Sequence, residues 1–150
     1  MSKALVVYYS WSGQTKKLAQ RIHQFLPNSD LLELKVAPDT FSSDMYETAA
    51  IAEQQLKNNS LPQIVTELPN FSEYDSILVG GPVWSYTPST PVLSFLDNLE
   101  KFPGKVAPFY TSIGNNGDYE KKFANENRAL NVLPGNANGY QLKEWIQQFE

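Results

Sequence analysis

Short apolar runs alternate along the chain with stretches in which apolar residues recur at helical spacing. Leu5, Val6 and Val7 begin a β-branched and aromatic run that is typical of a buried strand. Leu18 and Ile22 follow one helical turn apart, which predicts an amphipathic helix. Over the whole chain, this pattern predicts five strand–helix units in succession. The strands are expected at residues 5–9, 31–36, 76–84, 105–112 and 131–133, and the helices at about 15–26, 44–57, 90–99, 119–129 and 142–149.

Local signals at the ends of these elements support most of the boundaries. Asp44 and Glu47 form a plausible cap pair for the second helix, and Thr90 followed by Pro91 is a favourable start for the third. Pro108 fits less well, because its missing N–H requires a local bulge or an unpaired position inside the fourth strand. The fifth strand has few strand-forming residues and is the weakest of the predicted elements.

The alternation itself predicts the architecture. Strands that alternate with helices imply right-handed crossovers and a parallel sheet covered by helices on both faces. We therefore predict an α/β fold with a doubly wound, five-stranded parallel sheet, formed as a single domain over residues 1–150. Ligands of such folds bind beyond the carboxyl ends of the strands, at the point where the strand order reverses. The loops expected at that edge are residues 10–15, 82–87 and 111–118.

The first of these loops, with the sequence SWSGQT, joins a strand directly to a helix. Such a junction gathers free backbone N–H groups at the helix N-terminus, where the helix dipole favours negative charge. Ser10, Ser12 and Thr15 add three hydroxyl groups around a single glycine, Gly13, while the P-loop and G-x-G-x-x-G patterns are absent. The loop is thus a neutral cradle suited to a small phosphate monoester. The alternative is an ordinary strand–turn–helix junction with a serine N-cap.

Composition restricts the classes of function. The 150 residues are the size of one domain, and an apolar content of 41% is sufficient for a core. A net charge of −4 without a basic stripe means that nucleic acid and membranes are not expected as partners. The absence of cysteine excludes disulfides and thiol chemistry. Because neither a signal peptide nor an apolar stretch of membrane length is recognisable, we expect a cytoplasmic protein.

Three motifs in this chain order resemble those of the flavodoxin family, and more narrowly its short-chain, flavodoxin-like bacterial branch. They are YYSWSGQT at residues 8–15, GGPVW at 80–84 and IGNNGDY at 113–119. The resemblance covers nearly the whole chain and implies a flavodoxin-like three-layer α/β/α sandwich with a non-covalent FMN. It departs from the best-known members at Trp11, which stands where a small hydroxyl residue is common, and in its thinner acidic surface.

Site residues follow from the resemblance position by position. Those implied to hold the FMN phosphate are Ser10, Trp11, Ser12, Gly13, Gln14 and Thr15. Those implied to flank the isoalloxazine ring are Pro82, Val83, Trp84, Ser85, Tyr86 and Thr87. Those implied to face its other side or its pyrimidine edge are Thr111, Ser112, Gly114, Asn115 and Tyr119. The sequence leaves open which of Trp84, Tyr86 and Tyr119 stacks on the ring, and aromatic residues more often pack in the protein than bind cofactors.

The function implied is electron transfer. Neither ring loop contains a histidine, lysine or arginine to compensate a negative charge on the reduced ring, so we expect a low-potential carrier. The expected partners are redox proteins, namely a flavodoxin or ferredoxin reductase and an acceptor enzyme, and the chain is expected to be a monomer. No catalytic residue and no metal site is predicted, and His23 is interpreted as a boundary residue.

Two other functions are compatible with this sequence. An NAD(P)H-dependent FMN or quinone reductase is the first alternative, and a cofactor-free interaction module is a more remote one. A phosphoacceptor signalling domain is excluded, because residues 8–10 and 80–82 lack the carboxylates that its chemistry requires.

Overall fold

The computed structural model describes residues 2–112, 114 and 116–150. Its strands are β1 (Ala4–Tyr8), β2 (Ser29–Glu33), β3 (Ser76–Trp84), β4 (Thr87–Pro88), β5 (Lys105–Thr111), β6 (Asn131–Val132) and β7 (Asn136–Ala137). Its helices are α1 (Gln14–Phe25), α2 (Met45–Lys57), α3 (Thr90–Asn98), α4 (Tyr119–Glu126) and α5 (Leu142–Ile146). Single 3-10 turns occupy Phe71–Glu73 and Gln147–Phe149.

The sheet is parallel along its main path, with the order β2-β1-β3-β5-β6. Two short strands are added to this path: β7 pairs with β5, and β4 pairs antiparallel with β3. The predicted doubly wound, five-stranded arrangement is therefore confirmed, with β4 and β7 as minor additions. Because β1 has β2 on one side and β3 on the other, the strand order reverses at β1, and a crevice is expected between the carboxyl ends of β1 and β3.

Side chains of the central strands alternate between two cores. In β1, Leu5 and Val7 belong to one buried cluster, while Ala4 and Val6 belong to the other. The first cluster packs under α3 and α4, and the second under α1 and α5. This alternation is the period of two expected of a strand that is covered on both faces. It confirms the three-layer sandwich.

Several boundaries differ from the sequence-based expectation. β2 begins at Ser29 and ends at Glu33, rather than covering residues 31–36, because it pairs in register with β1. Val36 forms only an isolated bridge with Ile64. In α3 the N-cap is Ser89, one residue earlier than predicted, and α4 ends at Glu126 instead of continuing to residue 129.

The N-terminus of α2 begins where predicted but is capped differently. Asp44 accepts hydrogen bonds from the backbone N–H groups of Tyr46 and Glu47, at 2.7 and 3.1 Å. The Glu47 carboxylate does not complete a capping box with Asp44. It accepts instead from the hydroxyl of Ser42, at 2.7 Å. Ser42 thus links the segment before α2 to the first turn of the helix.

Pro108 is accommodated by an interruption of the sheet. On one side β5 pairs with β3 throughout, including Val79 with Pro108. On the other side, pairing with β6 stops at Val106 and resumes with β7 at Phe109. Gly135 lies in the gap, where an added Cβ would come within 2.6 Å of the Pro108 carbonyl oxygen. The expectation of an unpaired position at this proline is confirmed.

Among the described residues, no helix combines the length and apolar character needed to cross a bilayer.

Candidate functional site

Three adjacent strands end at the same edge of the sheet, and a loop follows each of them. β1, β3 and β5 lie side by side and run in the same direction, so their carboxyl ends meet there. Tyr9 continues the pairing beyond β1 by donating its N–H to the carbonyl of Gly80, at 2.9 Å. The segments predicted to form the site are therefore brought together. The glycine pair of the second motif has a packing role, because a Cβ on Gly80 would overlap the ring of Phe109.

The first loop converges on the side chain of Ser10. Its Oγ accepts hydrogen bonds from the backbone N–H groups of Gly13, at 3.0 Å, and Lys16, at 3.3 Å. Gly13 is the N-cap of α1 and has a φ of 98°, a backbone conformation that favours glycine. Nothing lies within 4 Å of a Cβ built at that position. Ser12 and Gln14 are exposed beside it, so the loop offers donors that point at one oxygen position, next to open space.

Two long-range contacts fix this loop to the rest of the molecule. The buried hydroxyl of Thr15 lies 2.7 Å from that of Thr111, at the end of β5. This contact joins the first loop to the start of the third. The indole Nε1 of Trp11 donates to the carbonyl of Ser42, at 3.0 Å, which joins the loop to the segment before α2. The first predicted loop is thus a well-anchored element.

The second predicted loop is a β-hairpin rather than an open loop. Strand β3 continues through Pro82 and Val83 to Trp84, and Trp84 pairs with Thr87 across a two-residue turn. Both turn residues, Ser85 and Tyr86, have positive φ, of 50° and 66°. Such turns match the twist of a hairpin but normally contain asparagine or glycine, which is why the sequence did not reveal one here.

Tyr86 forms the exposed tip of the hairpin. Its side chain is 56% exposed. A Cβ added to Gly117 would lie 2.7 Å from the Cβ of Tyr86, so the tip rests on the backbone of the third loop. The two segments predicted to flank the ring are therefore neighbours in the structure.

The third loop is organised by Ser112. Its backbone N–H donates to Oδ1 of Asn138, at 2.9 Å, and its hydroxyl donates to the side chain of Asn116. Gly114 is exposed, with nothing within 4 Å of an added Cβ. Asn115, also predicted to contact the cofactor, lies outside the described residues. Asn138 was not anticipated from the sequence, because it is distant along the chain and carries no motif.

Tyr119, predicted to contact the cofactor, is a core residue in this structure. Its side chain is 1% exposed and stacks on Tyr110, with ring centroids 4.2 Å apart, and on Phe123. Burial, with the nearby Tyr110 and Glu120, raises the pKa of its hydroxyl far above the usual value. The hydroxyl has no hydrogen-bond partner among the described residues. Tyr119 is the first residue of α4, and that helix packs its apolar face on the sheet.

An aromatic cluster joins the hairpin to the segment between β2 and α2. Trp84 packs edge-on against Tyr9, at 5.8 Å between ring centroids, and against Phe41, at 5.0 Å. Burial raises the pKa of the Tyr9 hydroxyl to about 12. An open hollow of about 260 Å³ lies beside the cluster, between the first loop and residues 36–43. No motif or periodicity in residues 36–43 indicates that this segment borders the site.

The donor set and the aromatic side chains suit a phosphorylated, planar ligand. The N–H groups of Gly13 and Lys16 already point at one oxygen, which a phosphate oxygen can replace. Trp84 and Tyr86 stand at the same sheet edge, within the hairpin next to the third loop. No cluster of side chains that would hold a metal ion occurs in the part of the chain that the structure describes. The residues present therefore fit FMN.

Comparison with known proteins identifies the family. The family model described as flavodoxin matches residues 3–149. The chain belongs to the flavodoxin family. The membership predicted from the three motifs is confirmed, and the match extends over nearly the whole chain.

Solved structures of flavodoxin-like proteins agree with this fold. A flavoprotein of Lactobacillus acidophilus NCFM, in complex with FMN, is 39% identical, with a TM-score of 0.91 over 97% of this chain and 99% of that protein. A flavoprotein from Bacteroides eggerthii DSM 20697 has a TM-score of 0.86 over 99% of this chain and 98% of its own, but at 22% identity it supports the fold alone. The predicted cofactor agrees with the FMN carried by the Lactobacillus relative.

One relative is an enzyme. An NAD(P)H dehydrogenase (quinone) of Acidovorax ebreus (strain TPSY) is 32% identical over 119 residues, which are 75% of this chain and 56% of that enzyme. The chain thus spans little more than half the length of this relative.

Proposed function

We propose that this member of the flavodoxin family binds FMN non-covalently and carries electrons between a redox partner that donates them and one that accepts them. The observation that supports this most directly is the convergence of N–H donors on one oxygen position at the N-terminus of α1, at the same edge as the aromatic hairpin. A close relative in complex with FMN supports the choice of cofactor. FMN supplies one- and two-electron transfer at its ring, and the protein supplies binding and electrostatics.

The first loop would hold the phosphate. Gly13 and Lys16 would donate their backbone N–H groups, and Ser10 and Ser12 their hydroxyls. The left-handed conformation of Gly13 keeps the N–H groups aimed at one point. Thr15 would act largely by position, because its buried hydroxyl ties the loop to Thr111.

The hairpin and the third loop would hold the ring. Trp84 and Tyr86 are the two remaining candidates for stacking, since Tyr119 is buried in the core. Pro82, Val83, Ser85 and Thr87 would act through the hairpin backbone that carries both aromatics. The described part of the third loop, with Ser112 and Gly114, would border the opposite side of the ring.

The charges of the chain favour a low reduction potential. Residues 82–87 and 111–118 contain no cationic side chain, and residue 118 is an aspartate. One negative charge about 8 Å from a carboxylate costs roughly 2 kcal/mol at an effective dielectric constant of about 20, which is roughly 90 mV for a one-electron step. We expect the last reduction step of the bound FMN to lie below that of free FMN, and potentiometry measures this directly.

Titration of the purified, flavin-free protein with FMN tests the binding. We expect one FMN per chain and a much weaker affinity for riboflavin, which lacks the phosphate that the first loop would receive. Equal affinities for FMN and riboflavin would contradict the role assigned to that loop. Saturation at about 100 times the dissociation constant should raise the free energy of unfolding by about 2.7 kcal/mol.

The alternative is an NAD(P)H-dependent FMN or quinone reductase, which the relative from Acidovorax ebreus favours. The two functions differ in what the FMN-loaded protein does alone. A carrier oxidises NAD(P)H only when a separate reductase is added and runs as a monomer on gel filtration. Oxidation of NAD(P)H by the protein alone, with a dimer on the column, would favour the reductase.

A further inference from the structure

We infer that Asn138 is a positioning residue for the flavin ring, because its side-chain carbonyl holds the backbone of Ser112 at the point where the third loop leaves β5. The inference rests on the proposed function, since Ser112 lies in the part of the third loop assigned to the ring. Asn138 follows β7, and none of the three loops includes it. The turn at residues 136–140 thereby becomes a fourth element of the site.

The turn that carries Asn138 is specified by its own sequence. The backbone N–H of Tyr140 donates to the carbonyl of Ala137, at 3.1 Å. Asn138 and Gly139 lie between them, with positive φ of 57° and 81°. Asparagine followed by glycine is the pair that such turns favour, since both residues tolerate the left-handed conformation. The backbone of Asn138 is therefore set by local chemistry and does not depend on a ligand.

Asn136 holds this turn together. Its side chain is 4% exposed, and its Oδ1 accepts from the N–H of Gly139, at 2.8 Å. Its Nδ2 donates to the carbonyl of Tyr140, at 2.7 Å. The backbone N–H of Asn138 donates to the carbonyl of Tyr110, at 2.8 Å, which continues the pairing of β7 with β5. The turn is thus fixed to the strand from which the third loop leaves.

The side chain of Asn138 connects the turn to the third loop. Its Oδ1 accepts from the backbone N–H of Ser112, at 2.9 Å. The preceding residue, Thr111, is held by the hydroxyl of Thr15, at 2.7 Å. Two successive residues at the end of β5 are therefore tied to two different segments, the first loop and the turn after β7. These two contacts fix the direction in which the third loop leaves the strand, so the ligand has less of the loop to order.

The two contacts serve different parts of the ligand. Thr15 belongs to the loop that would hold the phosphate, whereas Asn138 holds the loop that would border the ring. Loss of the Asn138 contact should therefore weaken binding of the ring and leave the contribution of the phosphate unchanged. Riboflavin has the same ring without the phosphate, so a comparison of FMN with riboflavin separates the two contributions.

Asn138→Gly removes the side chain, and glycine adopts a φ of 57° without strain. We expect this variant to bind FMN and riboflavin about threefold to tenfold more weakly, by the same factor for both, because one hydrogen bond that orders the loop is lost. Fluorescence titration measures both affinities. In the flavin-free variant the amide of Ser112 should also exchange its hydrogen faster, which NMR measures without any ligand.

Two further variants separate positioning from general effects of the substitution. Asn138→Asp keeps an acceptor oxygen and tolerates the same φ, so it should restore both the affinity for riboflavin and the slow exchange at Ser112. Riboflavin is the probe for this variant because the new carboxylate would repel the phosphate of FMN. Asn59→Gly is the matched control: Asn59 is exposed, has a φ of 51° and lies in the turn after α2, so its substitution should change neither affinity.

Three results would overturn the inference. Unchanged affinities in Asn138→Gly would remove the role of the side chain, and a loss for FMN alone would assign it to the phosphate. Riboflavin binding by Asn138→Asp as weak as that by Asn138→Gly would mean that the amide itself contacts the ligand. A failure of the proposed function is distinct, because the unchanged protein would then not bind FMN in the titration.

Discussion

The loop after β1 and the hairpin after β3 end at the same edge of the sheet, but they are held in different ways. The loop is anchored by polar contacts with distant segments, from Trp11 to Ser42 and from Thr15 to Thr111. The hairpin is held by apolar packing of Trp84 on Tyr9 and Phe41 and by its own short ladder. Its turn of two residues with positive φ is exposed and rests on Gly117. The comparison indicates that the proposed phosphate side is a fixed anchor, while on the ring side the exposed tip at Tyr86 is the part that can adapt to a ligand.

The largest effect is expected at the two aromatic residues of the hairpin, of which Trp84 is half-buried and Tyr86 is exposed. Trp84→Ala removes a ring that packs against Tyr9 and Phe41 and should lower the free energy of unfolding by about 2–3 kcal/mol. Tyr86→Ala, at a side chain that is 56% exposed, should change it by less than about 0.5 kcal/mol. Urea denaturation of the flavin-free variants measures both.

The same pair of variants separates packing from binding. If Tyr86 stacks on the ring, Tyr86→Ala should raise the dissociation constant of FMN about tenfold while leaving stability intact. An unchanged affinity would leave Trp84 as the stacking residue. A large loss of stability in Tyr86→Ala would contradict the view that the tip is adaptable.

The fixed anchor depends on the backbone of Gly13. Gly13→Ala should destabilise the flavin-free protein by about 1–2 kcal/mol, because alanine must adopt a φ of 98° although no atom obstructs its Cβ. Gly114→Ala is the matched control: it is also unobstructed, but its φ is not in the left-handed region, so it should stay within about 0.5 kcal/mol. Similar losses in thermal unfolding of both variants would contradict the assigned conformation.

At Tyr119 we expect a substitution to raise the free energy of unfolding rather than lower it. Because its buried hydroxyl has no partner among the described residues, Tyr119→Phe should raise the free energy of unfolding by about 1 kcal/mol. The affinity for FMN should not change. A weaker affinity, measured by fluorescence titration, would return Tyr119 to the cofactor site and show that the third loop rearranges on binding.

The smallest effect is expected at the contact between the first loop and the segment before α2. Trp11→Phe keeps most of the ring but removes the hydrogen bond to Ser42, which should cost about 0.5–1 kcal/mol of stability. The matched control is Trp145→Phe, which removes the indole bond to the carbonyl of Pro134, away from the site. Only Trp11→Phe should also weaken FMN binding. If both variants weaken it equally, the anchor has no special role.

The sequence predicted the layers of the molecule well, because hydrophobic periodicity reports burial. The sequence segments of β1, β3 and β5 are apolar on both faces, and they form the central strands of the sheet. Parallel topology then placed their three following loops at one edge without any further information. For Pro108 a local bulge or an unpaired position was predicted, since proline cannot donate an N–H, and the pairing on one side of β5 is interrupted there.

The parts that were missed depend on contacts between residues far apart in the chain. Nothing in the segment at residues 36–43 shows that Trp11 will bond to it. The turn at Ser85 and Tyr86 lacks the asparagine or glycine that would have indicated a hairpin. Tyr119 follows a Gly-Asp pair that resembles a cofactor motif, but the packing of α4 on the sheet determines where its ring lies.

The interruption of the sheet at Pro108 bears on how copies of this protein behave at high concentration. A long, unbroken outer strand would present a row of N–H and C=O groups to which another molecule could add its own strand. Here that side of the sheet is divided between β6 and β7, each two residues long. The proline that disturbs its own strand thereby helps to keep neighbouring molecules from aggregating edge to edge.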